Sequence, residues 1–153
     1  MDEKRKGKYI VIEGPGKAGK SVAIKYLKKM LPEDKFFFVK EPDGPIRSIL
    51  LDPAFQDMDP FTELCLFTAC RCELVRKVIV EKLNSGIHVI SDRNYLSSKT
   101  HQIEGSLRHD LKHIFNLMTE TAVGFCPADM YILIIAEVNE LLRRNGNADR
   151  KGQ

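Results

Sequence analysis

The chain has 153 residues, 43% hydrophobic and 29% charged, which is the size and composition of one folded globular domain and excludes a disordered or membrane-embedded chain. Its 24 Lys and Arg against 21 Asp and Glu leave a net charge of +3, too balanced to make nucleic acid its main partner. No run approaches the roughly 20 apolar residues of a membrane helix, and the start, Met1 to Lys6, leads into a strand pattern rather than an apolar signal segment, so the expected location is cytoplasmic.

The first element is a buried strand, Tyr9 to Ile12, a β-branched run that ends at Gly14. From Lys20 to Leu31, Val22, Ala23, Leu27, Met30 and Leu31 recur at helical spacing, and Pro32 closes the segment. Phe36 to Val39 reads as a second strand, ended by Pro42 and the Asp43-Gly44 turn, with a short helix through Ile46 to Leu51 after it. The longest helical pattern spans Pro60 to Asn84, with Leu64, Phe67, Leu74, Val75, Val78, Ile79 and Leu83 on one broad face and Gly86 as its stop.

Ile87 to Ile90 is a third strand and delivers Asp92-Arg93 at its carboxyl end, before a polar loop and helix. Leu107 to Val123 predicts another helix, Met130 to Ile135 a fourth strand, and Glu137 to Arg144 a final helix. Cys65, Cys70, Cys72 and Cys126 lack Cys-x-x-Cys spacing, so they suggest neither zinc nor a disulfide framework and read as core or half-buried thiols. The alternation predicts an α/β fold, a mainly parallel sheet with helices on both faces. Ligands in such sheets bind beyond the carboxyl ends of the strands, where Gly14 to Ser21, Lys40 to Gly44 and Asp92 to Gln102 converge.

Gly14, Gly19, Lys20 and Ser21 match Gly-x-x-x-x-Gly-Lys-Ser between a strand and a helix, the phosphate-binding P-loop. Its glycines let backbone N–H groups, here from Gly14, Gly16, Ala18 and Gly19 through Val22, face phosphate oxygens at a helix N-terminus. Lys20 neutralises the β- and γ-phosphates of ATP, and Ser21 with Asp92 ligates Mg²⁺. A surface carboxylate capping a helix is the competing reading of Asp92, and a surface ion-pair partner that of Arg93.

Ile12-Glu13-Gly14, Lys40-Glu41-Pro42, Leu66-Phe67-Thr68-Ala69-Cys70-Arg71, and Asp92-Arg93 with Ser97-Ser98 and Gln102 follow one another in an order that resembles the thymidylate kinase family across nearly the whole chain. The resemblance implies a P-loop NTPase fold over residues 1–153, acting as a single kinase domain. It also implies Mg²⁺-dependent transfer of the γ-phosphate of ATP to thymidine monophosphate. By position, Arg71 meets the base, Arg93 clamps the acceptor phosphate, and Glu41, Pro42, Ser98, His101 and Gln102 line the acceptor site. Lys17 takes the place where some members carry a catalytic arginine, and Arg144 and Arg150 belong to the lid over the phosphates, for which a solvated basic helix end is the alternative. A homodimer through apolar surface on Pro60 to Asn84 is also implied.

Several positions depart from the family pattern. Gly16 stands where many members have a carboxylate, Lys40 where they have arginine, Asn94 where they have tyrosine, and Thr100-His101 where Ala-Tyr is usual. The stretch after Pro42 is shorter, and the strand and helix that usually follow the lid are not in the sequence. A non-catalytic nucleotide-binding protein and a deoxynucleoside kinase are the alternative readings.

Overall fold

The computed structural model describes residues 5–55, 57–105 and 108–149. Four strands form one parallel sheet in the order β2-β3-β1-β4: β1 (Tyr9–Glu13), β2 (Phe36–Lys40), β3 (His88–Asp92) and β4 (Met130–Leu133). The register pairs Ile12 with Asp92, Glu13 with Leu133 and Lys40 with Asp92, so four strand ends meet at one edge, three of them carrying a charged side chain.

Helix α1 (Lys20–Met30) follows the P-loop, α2 (Pro45–Leu50) follows β2, and α3 (Pro60–Leu74) starts the long helical segment. Asp59 sets that start, because its carboxylate accepts the N–H groups of Phe61 and Thr62 at 2.9 and 3.3 Å while Pro60 sits where no N–H is needed. The segment is not one uninterrupted α-helix as its periodicity predicts. A wider π turn at Val75–Ile79 separates α3 from α4 (Val80–Asn84). Helix α5 (Tyr95–Ser98) runs into a second π-helical stretch, Lys99–Gly105.

Helix α6 is Lys112–Val123, preceded by a short 3₁₀ turn at His109–Leu111, and Leu107, the expected start, lies outside the described residues. The last helix, α7 (Val138–Asp149), continues past the expected stop at Arg144. The main core joins Tyr9, Val11, Val39 and Val89 of the sheet to Leu74, Val75, Ile79 and Leu83 and to Ala122 and Val123. A smaller cluster of Leu64, Ile103 and Phe115 ties α3 to α6.

The four cysteines are free thiols, Cys70 and Cys126 buried and the others half-buried, as expected. The large exposed apolar side chains are not on the 60–84 segment that was expected to carry them. Val22, Tyr26 and Met30 form one exposed stripe on α1, and all four residues of β4 are exposed. Among the described residues no helix is long and apolar enough to cross a membrane.

Candidate active site

The P-loop backbone bends through Gly14 at φ 146° and Gly19 at φ 110°, with Lys17 in the left-handed region at φ 59°. Gly14 is required sterically too, since a Cβ there would lie 2.1 Å from the Ile134 carbonyl oxygen where the chain leaves β4. The Lys20 ammonium donates to the carbonyls of Gly14 and Pro15, both at 2.7 Å. Burial, reinforced by the nearby Arg93 guanidinium, holds Lys20 below the ordinary lysine value.

Lys17, Lys20, Ser21, Asp92, Arg93 and Arg144 share one hollow of about 440 Å³. Arg144 reaches it from α7: its guanidinium donates to the Lys17 carbonyl at 2.8 Å, and Lys17 returns a bond to the Arg144 carbonyl at 3.3 Å. Glu140 orients that arginine and is held at about 2 by bonds from Arg143 and Arg144. Arg150 lies outside the described residues. With Lys40 also on its wall, the hollow sets five cationic groups against the Asp92 carboxylate, which suits a polyanion.

Among the described residues there is no cluster of three or more His, Cys, Asp or Glu that holds a metal unaided. Asp92 Oδ1 is nevertheless buried without a hydrogen-bond partner, and Ser21 lines the same hollow. A hydroxyl and one unsatisfied carboxylate oxygen fit Mg²⁺ completed by phosphate oxygens and water.

A second hollow of about 310 Å³ adjoins it, lined by all the residues expected at the acceptor site: Glu41, Pro42, Arg71, Ser98, His101 and Gln102. Arg71 is 1% exposed and not the solvated helix charge that spacing alone would make it. It donates from Nε to Glu41 Oε2 at 2.8 Å and from Nη2 to Ser98 Oγ at 2.9 Å. Its Nη1 and the second Glu41 oxygen are buried without hydrogen-bond partners, so the pair carries spare donor and acceptor capacity beside the hollow. Burial pushes the Glu41 carboxyl up, against the pull of Arg71. The Gln102 amide donates to Glu63 at 3.0 Å.

Lys40 and Arg93 line both hollows, which makes them the junction of the site. Arg47, Glu13 and Ser97 were not singled out for roles from sequence. Arg47 of α2 enters the second hollow and donates to the Pro42 carbonyl at 2.7 Å. Glu13, 6% exposed, accepts from the Asn94 backbone N–H and the Ser97 hydroxyl, and Ser97 in turn receives Arg93. An acid ending an apolar strand was the available signal for Glu13, because a buried carboxylate needs partners. For Arg47 it was a cation one turn into the helix after the acceptor loop.

A phosphate-binding loop, a carboxylate at the end of the neighbouring strand and a second cation-rich hollow joined to the first through an arginine define the P-loop phosphotransferase class. The thymidylate kinase family model matches residues 12–153, and the chain belongs to that family. It is 33% identical over 156 residues to a thymidylate kinase of Prochlorococcus marinus, covering 93% of this chain and 70% of that one. To a thymidylate kinase of Caldicellulosiruptor saccharolyticus it is 42% identical over 147 residues, 91% of this chain and 69% of the relative. The crystal structure of thymidylate kinase from Ehrlichia chaffeensis superimposes with a TM-score of 0.73 over 94% of this chain and 85% of that one, at 24% identity, and shares the fold.

Proposed function

We propose that the chain phosphorylates a pyrimidine deoxynucleoside monophosphate with ATP and Mg²⁺, converting dTMP to dTDP. The observation that carries this reading is the pair of adjoining hollows with Arg93 on the wall of both, since one guanidinium at the junction serves donor and acceptor phosphates together. In the reaction an acceptor phosphate oxygen bonds to the γ-phosphorus as the bond from that phosphorus to the β,γ-bridging oxygen breaks, and ADP leaves. The acceptor is already an anion, so positioning and charge neutralisation supply the catalysis without a general base.

Lys20 exchanges the Gly14 and Pro15 carbonyls for β- and γ-phosphate oxygens, joined by P-loop N–H groups from Gly14 to Val22. Lys17, at the mouth with Arg144, sets positive charge against the transferring group. Ser21 and Asp92 would hold Mg²⁺, which when bound neutralises charge on the donor phosphates. Arg71 meets the base, Arg93 the acceptor phosphate, with Ser98, His101 and Gln102 around the nucleoside and Arg47 as a further cation. The same proposal takes residues 1–153 as one cytoplasmic kinase domain that pairs as a homodimer, and sedimentation as a monomer at micromolar concentration removes the pairing.

The test is ADP formation with Mg²⁺ and ATP, offering thymidine, deoxyuridine and cytidine monophosphates and thymidine itself. Turnover is expected to be fastest with dTMP. Folded protein that turns over none of the monophosphates refutes the proposal, and turnover of thymidine alone converts it to a nucleoside kinase.

A further inference from the structure

Arg93 occupies the junction of the two hollows in a backbone conformation that no β-carbon residue adopts by preference, φ 79°. Something must hold both its backbone and its long side chain. The backbone is held by its N–H bond to the Ile12 carbonyl at 3.0 Å, so β1 fixes the residue's start. The side chain reaches Gly14 O at 3.4 Å, a long contact, and Ser97 Oγ at 2.9 Å, a good one. Ser97 is therefore the main protein partner of the guanidinium.

A serine hydroxyl has one proton. Facing a guanidinium it acts as acceptor, and its own proton needs an acceptor elsewhere. Glu13 Oε2 provides that acceptor at 2.9 Å. The other oxygen, Oε1, accepts the backbone N–H of Asn94 at 2.8 Å, fixing the turn between Arg93 and α5. Asn94 then caps that helix by accepting the Leu96 N–H at 3.1 Å, and its amide donates to the Tyr131 hydroxyl of β4 at 3.0 Å. Glu13 thus occupies both carboxylate oxygens with the segment that carries Arg93.

We infer that Glu13 is a positioning residue for the acceptor-phosphate arginine, setting the polarity of the Ser97 hydroxyl so that it receives the Arg93 guanidinium and aims it at the junction of the two hollows. The inference rests on the proposed role of Arg93 at the acceptor phosphate. It explains why an acidic residue ends an otherwise apolar strand, because only a group with two acceptors and no donor satisfies Asn94 N–H and Ser97 O–H together.

Glu13→Gln is the informative change, being isosteric. The Asn94 N–H is a fixed donor, so the amide oxygen must face it, and the NH₂ then points at Ser97. The hydroxyl receives two donors, the amide and Arg93, and loses the acceptor for its own proton. Arg93 is displaced while the fold keeps its volume.

Calorimetric titrations with dTMP, thymidine and ATP separate this from general damage. Glu13→Gln and Ser97→Ala are each expected to weaken dTMP about tenfold, the loss of one hydrogen bond to a charged group. Thymidine, which lacks the phosphate, binds as in the wild type, and ATP, whose donor phosphates also have Lys17, Lys20 and Arg144, is expected to lose less than dTMP. The double variant is expected to be no worse than Ser97→Ala alone, since Glu13 acts through that hydroxyl. Wild-type dTMP affinity in Glu13→Gln, or equal losses for dTMP and thymidine, overturns the inference.

A ligand-free measurement keeps the two proposals distinct. The side-chain ¹⁵N–¹H signals of Arg93, identified with Arg93→Lys, are expected to shift and exchange faster with water in Glu13→Gln. If the wild type binds neither dTMP nor thymidine the proposed function falls, and unchanged Arg93 signals in the variant separately overturn the positioning role.

Discussion

Replacing Arg71 by Met removes a cation that the fold has buried and leaves its counter-charge behind. Glu41 is 4% exposed, and its Oε2 accepts from Arg71 Nε at 2.8 Å. Breaking a buried pair from one side costs about 3–5 kcal/mol, because the remaining charge is desolvated without compensation. The lost bond to Ser98 adds about 1 kcal/mol. A total of about 4–6 kcal/mol is a large share of a domain's roughly 5–15 kcal/mol, and at about 2–4 °C per kcal/mol it lowers the melting temperature by roughly 8–24 °C.

The pH dependence identifies the cause. Burial already raises the Glu41 carboxyl, with Arg71 opposing, so removing Arg71 raises it further. A carboxylate raised in the folded state makes the native protein bind more protons than the unfolded chain. Stability therefore falls as pH rises from the unfolded value toward the folded one, and the deficit of Arg71→Met shrinks again in mild acid. Glu41→Gln in the Arg71→Met background removes the stranded charge and is expected to recover most of the loss. Denaturant unfolding followed by circular dichroism at neutral and mildly acid pH measures each quantity. A neutral-pH cost below about 1 kcal/mol, or a deficit that does not shrink in acid, refutes the reasoning.

Two further outcomes follow from the P-loop. Lys20 is held below its ordinary 10.5 by burial and Arg93, so at alkaline pH the unliganded ammonium loses part of its proton and donor phosphates draw it back. ATP binding is then expected to take up protons and to weaken as pH rises, and calorimetry in two buffers of different ionisation heat reads the uptake; none at any pH contradicts the assignment. Gly14→Ala would set a Cβ 2.1 Å from a backbone oxygen at φ 146°, whereas a Cβ at Gly16 meets nothing within 4 Å. Thermal melts are expected to show Gly14→Ala destabilised by about 3 kcal/mol or more and Gly16→Ala within about 1 kcal/mol of the parent, and equal stabilities would contradict the geometry.

The elements that were legible in the sequence are those with a local cause. Tyr9 to Ile12, Phe36 to Val39 and Ile87 to Ile90 are short apolar runs between turn residues, and the phosphate loop has a fixed spacing between strand and helix. The strand order was not legible, because placing β3 between β2 and β1 depends on packing across some 50 to 80 residues of chain. Nor was the π turn at 75–79, where Val-Arg-Lys-Val-Ile carries no breaker. Gly146 was weighed as polar ending, yet one glycine costs only about 1 kcal/mol inside a helix and α7 runs through it. In the site, Arg71 was found by its motif, but its burial depends on Glu41, 30 residues earlier, and on Ser98, 27 residues later. Arg47 and Glu13 escaped for the same reason, since their partners are set by folding and not by spacing.

β4 has consequences for how the protein behaves in concentrated solution. Among the described residues it has one neighbour, β1, and Met130, Tyr131, Ile132 and Leu133 are all more than a third exposed. Its outer backbone groups and apolar side chains together form a template onto which another extended segment can be laid. For this 153-residue chain the colloidal limit is therefore expected at this margin and not at the nucleotide site: turbidity and particle size are expected to grow with concentration while the melting temperature stays constant. A single lysine at Ile132 would raise that limit without touching the phosphates.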